Sequence, residues 1–411
     1  MNGGDLLQMK AKNNNKLDKY LSVTTEELMD SNVKNKVSFF QNTFDNYKRP
    51  TNFAMTTKRI SSTSYNDFGQ LIEFTIPRYG DKINSIDLEV QLPILSNVGY
   101  VNSIGYAMID YIEIVVGEIS VIKVPGEWLD VNDKIYTNEN MRIAVNEMIM
   151  RFGNFDEESY RGGSLIIPFT FWFTKEPGLA FPLCALSHQD FKVFIKLRPF
   201  KDLWFSNSDQ TPSQQYRLEN IFLLVNYIRL DPLEREIVNK IKHKYLIKQI
   251  QYITQTINRT AKISLDDFKY PVIELNWIVR STSRRKQKDW FNYKMDNENT
   301  IDNDPLVNAK LIFEGKDRTD SMIARYYRMY QPLRFRNQIP DDYIYTYVFS
   351  LMPEKDSQPS GTCNFSEIKE KFLQLELKSS VLDYELFVFA TNYNVLRVED
   401  GYSYVENYLA D

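Results

Sequence analysis

The sequence predicts an all-β protein built as two sandwiches in tandem and joined by one short helix. Apolar and polar residues alternate with a period of two in both halves of the chain, as in strands with one buried face. The 26 Tyr and 26 Phe favour pleated sheets, on which aromatic rings pack well. A length of 411 residues exceeds what one core usually supports, so we expect two domains.

Three segments carry the strand pattern most clearly. In residues 86–92 the apolar positions are Ile86, Leu88, Val90 and Leu92, and polar residues stand between them. Residues 191–198 and 372–378 repeat this alternation further along the chain. Each segment predicts a strand with one face in a core and one face toward water.

The clearest predicted helix lies at residues 231–246. Asp231 suits the N-cap, Pro232 the first helical position, and Glu234 completes a capping box. The apolar residues at four-residue spacing are Leu233, Ile237, Ile241 and Tyr245. We expect Ile237 and Ile241 to pack against the sandwiches, which makes this helix a domain connector.

The two halves share their order of features. FTIPRYGDKINSIDLEVQL (74–92) has a counterpart in KISLDDFKYPVIELNWIV (262–279), and FLLVNYIRL (222–230) has one in FVFATNYNVLRV (387–398). The predicted organisation is therefore an internal duplication with four parts. They are an N-terminal arm at 1–36, a first sandwich at 37–230, the connector helix at 231–246 and a second sandwich at 247–411.

An aromatic stretch in the first half contains the dipeptide Pro177-Gly178. Pro followed by Gly predicts a type II turn, in which Gly178 takes a positive φ, and this turn would join two apolar strands. The aromatic residues of 169–173 are expected to pack in the core, with a sugar-binding platform as the alternative.

Bulk composition argues against several classes of protein. A net charge of −4 and a pI near 5.6 do not suit a protein that coats nucleic acid. The longest apolar stretch, Leu165–Phe173, is too short to cross a bilayer, and the N-terminus lacks a signal-peptide core. The two cysteines, Cys184 and Cys363, are expected to be free thiols.

No catalytic, cofactor-binding or metal-binding residue is predicted. The chain has two histidines: His188 is expected to be a hydrogen-bonded structural residue, and His243 falls in the predicted helix. Nucleotide-binding loops and the G-x-S-x-G motif are absent from the sequence. The basic cluster RSTSRRKQK (280–288) predicts a solvated loop, with an acidic-partner or nucleic-acid contact as the alternative.

Several segments resemble the major capsid protein of the nucleocytoplasmic large DNA viruses, the family of phycodnaviruses, iridoviruses and mimiviruses. They occur in the family's order, and PSGTCNFS and NYNVLRV are the most specific. The resembling segments are 38–55, 168–186, 226–247, 270–279, 358–366 and 391–398. The resemblance implies a double jelly roll, with two eight-stranded jelly rolls side by side in each subunit and three subunits in a pseudo-hexagonal capsomer.

The function implied by the resemblance is structural, without catalysis. The expected partners are the chain itself, as a homotrimer and then as neighbouring capsomers, and minor capsid proteins under the shell that contact residues 1–36. No specific nucleic acid and no transmembrane contact is expected. The protein would reside in the virion's outer shell after assembly in the infected-cell cytoplasm.

Two alternatives remain open from the sequence. The chain ends in EDGYSYVENYLAD where family members often carry a Gly-rich tail, and its loops are short. Both departures leave a minor or scaffold capsid paralogue of the same fold as an alternative. A two-sandwich carbohydrate-binding protein or glycan hydrolase is the alternative from another class. A hydrolase needs a carboxylate pair in an aromatic cleft, and no acidic pair in the sequence is marked by such surroundings.

Overall fold

The computed structural model describes most of the chain from residue 52 onward. The described residues are 52–152, 161–206, 210–295, 303–340, 342–355, 359–378 and 383–406, with the backbone alone of 37–38 and 48–49. The predicted arm at 1–36 lies outside the described residues, so it stays a prediction.

In the residues that the structure describes, the first half of the chain forms two four-stranded antiparallel sheets and two short strand pairs. Its strands are β1 (Val37–Ser38), β2 (Lys48–Arg49), β3 (Phe53–Ser61), β4 (Leu71–Thr75), β5 (Lys82–Leu92), β6 (Gly99–Tyr100), β7 (Ile109–Val116), β8 (Ile119–Pro125), β9 (Gly163–Pro168), β10 (Phe191–Leu197), β11 (Trp204–Phe205) and β12 (Asn220–Leu230). We name sheet A1 the order β3-β12-β5-β9 and sheet B1 the order β4-β10-β7-β8.

The second half repeats this plan. Its strands are β13 (His243–Ile257), β14 (Thr260–Ser264), β15 (Pro271–Ser281), β16 (Leu306–Phe313), β17 (Lys316–Asp317), β18 (Met322–Ile323), β19 (Ile344–Val348), β20 (Cys363–Asn364), β21 (Lys371–Leu377), β22 (Tyr384–Glu399) and β23 (Tyr402–Val405). Sheet A2 has the order β13-β22-β15-β19, and sheet B2 has the order β14-β21-β16-β17.

Both halves have the same connectivity. When the eight main strands of each half are counted in chain order, A1 and A2 both pair as 1-8-3-6, and B1 and B2 both pair as 2-7-4-5. This is the jelly-roll arrangement, in which two Greek keys form a double sheet. The predicted all-β fold with two eight-stranded sandwiches is confirmed.

The helices are short and fall between strands. They are α1 (Ile104–Ala107), α2 (Gly126–Tyr136), α3 (Glu139–Met148), α4 (Trp172–Lys175), α5 (Pro232–Lys240), α6 (Thr282–Lys286) and α7 (Gln331–Phe335). A π-helical turn at Tyr326–Tyr330 runs directly into α7. Within the described ranges, no helix has the length and apolar character needed to cross a membrane.

The apolar residues that alternate with polar ones in the sequence are the buried residues of the strands. In β10, Phe191, Val193, Ile195 and Leu197 are buried, and the residues between them are half-buried. Strands β5 and β21 follow the same pattern along most of their length. Each sandwich therefore has an apolar core of its own between its two sheets.

The predicted type II turn at Pro177-Gly178 is wrong. Residues Pro177–Leu179 form a 3₁₀ turn, in which the Ala180 N–H donates to the Pro177 carbonyl at 3.2 Å, and Gly178 is not at a positive φ. The preceding residues form α4 instead of a strand, because the Thr174 hydroxyl and the Phe171 backbone bond reciprocally and close a helical turn. The aromatic residues of 169–173 are buried, as predicted for core packing.

The connector helix is shorter than predicted, and a different face of it is buried. Helix α5 ends at Lys240, because the chain from His243 onward pairs with β22 along the whole of β13. Val238 is fully buried, whereas Ile241 is 42% exposed, which contradicts the predicted packing of Ile241. The Asp231 cap is confirmed, since its carboxylate accepts from the Glu234 N–H at 2.9 Å.

Candidate assembly site at the joint between the sandwiches

The two sandwiches meet where helix α2 of the first half lies on the outer face of sheet A2. The rings of Trp128 and Phe389 lie 5.0 Å apart between their centroids. The Tyr136 hydroxyl, at the end of α2, donates to the Glu274 carboxylate on β15. Strand β8, which precedes α2, also contacts β13, where Gln249 donates to the Val121 carbonyl.

Strands β15 and β22 of sheet A2 are buried on both faces over most of their length, and this contact covers the outer face of β15. On β15, Leu275, Trp277 and Val279 point into the second core, while Glu274, Asn276, Ile278 and Arg280 point toward the first sandwich. All of these side chains are at most 1% exposed. Strands in a sheet that is covered on both sides are buried at nearly every residue, and buried and exposed residues do not alternate along them.

Helix α2 begins at Gly126, a position where only glycine fits. A Cβ placed on Gly126 would lie 2.0 Å from the Ile109 carbonyl oxygen, which no side chain can tolerate. Glycine therefore lets the helix start directly against strand β7.

The prediction of a solvated basic loop at 280–288 is wrong for Arg280, which is buried. Arg280 is 1% exposed, and its guanidinium lies 2.7 Å from Glu385 and 3.4 Å from Glu127 on α2. Arg198 of the first sandwich also reaches Glu127, at 2.9 Å. Burial alone would raise the pKa of Glu127, but Arg198 and Arg280 outweigh it and lower that pKa.

The remaining basic residues of the cluster divide between the joint and solvent. Lys288 donates to the Trp204 carbonyl at 2.8 Å and lies 3.7 Å from the centre of the Trp204 ring. Arg285 is exposed but pairs with Glu385 at 2.5 Å, and Lys286 is exposed. Arg280 and Lys288 therefore contact the first sandwich, whereas Arg285 and Lys286 remain exposed.

A second buried ion pair lies under α2. Arg336 and Glu274 are both fully buried and lie 2.6 Å apart. Burial would raise the pKa of Glu274, but Arg336 and the Tyr136 hydroxyl lower it, so the carboxylate stays charged. Removing one member of such a pair strands the other charge in an apolar medium.

A third buried group on α2, Asp130, also contacts the second half. Asp130 is fully buried, and it accepts from Tyr293 of the second half at 2.9 Å and from Arg151 at 2.8 Å. Lys134, one turn later, lies 2.8 Å from Asp130 and bridges to Asp342 of the second half at 2.5 Å. Charged groups with specific partners on both sides hold the joint in one register.

A partly enclosed cavity of about 130 Å³ lies beside this joint. Trp128, Tyr136 and Trp172 line it from the first half, and Lys248 and Tyr393 line it from the second. It was not anticipated from the sequence, because its walls come together only through the packing of α2 on sheet A2.

The two histidines occupy structural positions. His188 is exposed, its backbone N–H donates to the Gly401 carbonyl at 3.1 Å, and its ring lies 5.0 Å from that of Tyr402. His243 is not in the helix as predicted but begins β13, where its Nε2 bonds the Val238 carbonyl at 2.7 Å. Cys184 and Cys363 are half-buried free thiols. Among the described residues, no group of three or more ligand side chains could hold a metal ion.

His243, which lies just after α5, should make the stability of the protein sensitive to acid. Burial lowers its pKa to about 4 from 6.5, so between pH 6.5 and pH 4 the unfolded chain binds more protons than the folded chain. Stability is then lost as the pH falls through this window, by roughly 2–3 kcal/mol at pH 4. His243→Phe keeps the ring that stacks on Tyr245 and should remove this part of the pH dependence.

The matched control is His188→Phe, because His188 also lies against a tyrosine ring but is exposed. Unfolding free energies at pH 4, 5, 6 and 7 for both variants give the comparison. Equal slopes for His243→Phe and the unchanged protein would contradict the assignment.

Comparison with known proteins places this architecture in one family. The sequence model for the N-terminus of the major capsid protein matches residues 38–231. The model described as the large eukaryotic DNA virus major capsid protein matches residues 234–403. The chain belongs to the major capsid protein family of the large eukaryotic DNA viruses. The predicted family is confirmed, and the two matches divide the chain between the two sandwiches.

Relatives of this capsid protein align over nearly their whole length. The major capsid protein of Pyramimonas orientalis virus is 28% identical over 383 residues, which cover 86% of this chain and 90% of the relative. The major capsid protein of Paramecium bursaria Chlorella virus 1 is 25% identical over 418 residues, covering 89% and 93%. The chain is a structural capsid protein, and these relatives do not support the carbohydrate-binding or enzymatic alternatives.

Solved structures agree with the fold. The chain in the quasi-atomic model of the PBCV-1 virus capsid superposes with a TM-score of 0.76 at 24% identity, covering 88% of this chain and 99% of that one. The Faustovirus major capsid protein superposes with a TM-score of 0.74 at 12% identity, covering 87% and 92%. The double jelly roll is thus retained where little sequence identity remains.

Proposed function

We propose that this capsid protein forms homotrimers of pseudo-hexagonal outline and that these trimers tile an icosahedral shell. The observation that carries the proposal is the duplicated connectivity of sheets A1/B1 and A2/B2 within one chain. Three copies of a chain with two equivalent sandwiches supply six similar blocks, which can close into a six-sided ring. The rigid joint under α2 would fix the angle between the two blocks of each copy.

The finer parts of the proposal concern location and partners. Trimers would assemble in the infected-cell cytoplasm and then contact neighbouring trimers through their flanks in the virion shell. Minor capsid proteins under the shell would bind the arm at 1–36. The arm's polar, Asn-rich composition supports this, because such a segment cannot bury enough apolar surface to fold by itself.

Native mass spectrometry of the purified chain tests the trimer. We expect a species of three times the 48.5 kDa chain mass at micromolar concentration. A stable monomer that binds a glycan array would contradict the proposal and support the carbohydrate-binding alternative.

Deletion of residues 2–36 tests the arm. We expect soluble trimers with unchanged thermal stability that fail to close shells when expressed with the other capsid components. The measurement is particle yield by electron microscopy beside the full-length chain. Normal particles from the truncated chain would rule out a role for the arm.

A further inference from the structure

The cavity of about 130 Å³ beside the joint has walls from both sandwiches. Trp128 and Tyr136 of α2 and Trp172 of α4 line it from the first half, and Lys248 of β13 and Tyr393 of β22 line it from the second. An engineered apolar protein cavity of about 150 Å³ binds one benzene molecule. The cavity beside the joint therefore has room for one six-membered ring with a small substituent.

The aromatic side chains of the wall are held in place by contacts within the protein. The Trp128 ring lies 5.0 Å from that of Phe389, and the Tyr136 hydroxyl donates to the Glu274 carboxylate. Trp172 is only 4% exposed. Because these rings are fixed before a ligand arrives, a planar aromatic guest would not have to order them, which favours its binding.

Two lysines bring positive charge to the cavity wall. The Lys175 ammonium lies 5.2 Å from the centre of the Tyr136 ring, and the Lys248 ammonium lies 6.0 Å from the centre of the Tyr393 ring. Lys248 also donates to the Pro353 carbonyl at 2.7 Å. An ammonium group has three N–H donors, so one bond to a neutral carbonyl does not exhaust Lys248 as a donor.

The negative charge of the wall is bound elsewhere. Asp133 is the one carboxylate among the described residues that line the cavity. The Arg151 guanidinium lies 2.6 Å from the Asp133 carboxylate, and both side chains are largely buried. The wall thus combines two cations with a carboxylate that already has a cationic partner, and this balance favours an anionic ligand over a neutral one.

We propose that this cavity binds a small aromatic carboxylate. The ring would lie among Trp128, Tyr136 and Trp172, and the carboxylate would accept hydrogen bonds from Lys175 and Lys248. This site goes beyond the shell function and does not rest on the trimer, because a single chain supplies all of these residues. Since the ligand would contact both sandwiches, it would bind the folded joint and stabilise it by mass action.

Isothermal titration calorimetry of the full-length chain with benzoate tests the site, and benzamide is the neutral analogue of nearly the same shape. We expect one benzoate per chain with a dissociation constant on the order of 0.1 mM. Benzamide should bind about tenfold more weakly, because it cannot form a charge-assisted hydrogen bond with a lysine. Saturating benzoate should also raise the unfolding temperature. No binding of benzoate at millimolar concentration, or equal affinity for benzamide, would overturn the proposal.

Substitutions in the wall test the location of the site. Lys248→Met keeps the length of the side chain and removes its charge, so it should weaken benzoate binding by about tenfold and leave benzamide binding unchanged. The matched control is Lys244→Met, because Lys244 is an exposed lysine of the same strand and is not part of the cavity wall. This control should bind benzoate as the unchanged protein does.

A second variant fills the cavity instead of changing its charge. Val145 of α3 lines the cavity and is half-buried, so Val145→Phe should place a ring in the space of the ligand and abolish binding of both compounds. Thermal unfolding without ligand shows that each variant is folded. Benzoate binding that survives both Lys248→Met and Val145→Phe, or that falls equally in Lys244→Met, would overturn the assignment of this cavity.

Discussion

Replacing Arg336 with methionine is expected to lower the free energy of unfolding by about 3–5 kcal/mol. The side chains of Arg336 and Glu274 are both fully buried and lie 2.6 Å apart, so the variant removes the guanidinium that pairs with the Glu274 carboxylate beneath α2. The cost arises from that stranded charge and not from the net value of the pair, which the desolvation of both groups offsets. Denaturant titration of the purified variant measures the loss.

The matched control is Arg59→Met. Arg59 also reaches a glutamate, Glu89, at 2.6 Å, but its side chain is 65% exposed. Water screens that pair, so its loss should leave the unfolding midpoint close to that of the unchanged protein. Adding Glu274→Leu to Arg336→Met should recover much of the lost stability. Equal midpoints for Arg336→Met and Arg59→Met would contradict the buried joint.

Helix α5 gives the second large effect. Val238→Asp should cost several kcal/mol, because Val238 is fully buried against Ile228 and Leu230 and a carboxylate there would lose its hydration in an apolar cluster. Ile241→Asp should be close to neutral, since Ile241 follows the helix and is 42% exposed. Thermal unfolding of both variants makes the comparison. A larger loss of stability for Ile241→Asp than for Val238→Asp would contradict this account and support the longer helix that the sequence predicts.

The fold class was predictable because most strands bury only one face. In β5, β10 and β21 the period of two survives in the residues themselves, and it sufficed to locate two sandwiches of similar order. Strands β15 and β22 are buried on both faces over most of their length, and their sequence contains no sign of which partner covers the second face. That partner is α2, which begins 145 residues before β15 in the chain.

The joint was missed for the same physical reason. Arg280 stands beside four other basic residues, a composition typical of a solvated loop, while its partners Glu385 and Glu127 are 105 and 153 residues away. Local composition cannot show such pairing. The end of α5 was misplaced because helical spacing continues to Tyr245 in the sequence, whereas the ladder between β13 and β22 takes over at His243. In each case a long-range contact overrode a local preference.

The abundance of this chain in purified virions tests its role as the shell protein most directly. A protein that tiles the whole shell must supply most of the shell's mass, so quantitative mass spectrometry should find this chain to be the most abundant protein in the particle. Surface labelling of intact virions should also reach it. A share of only a few per cent of the virion protein, or absence from the particle, would contradict the assignment.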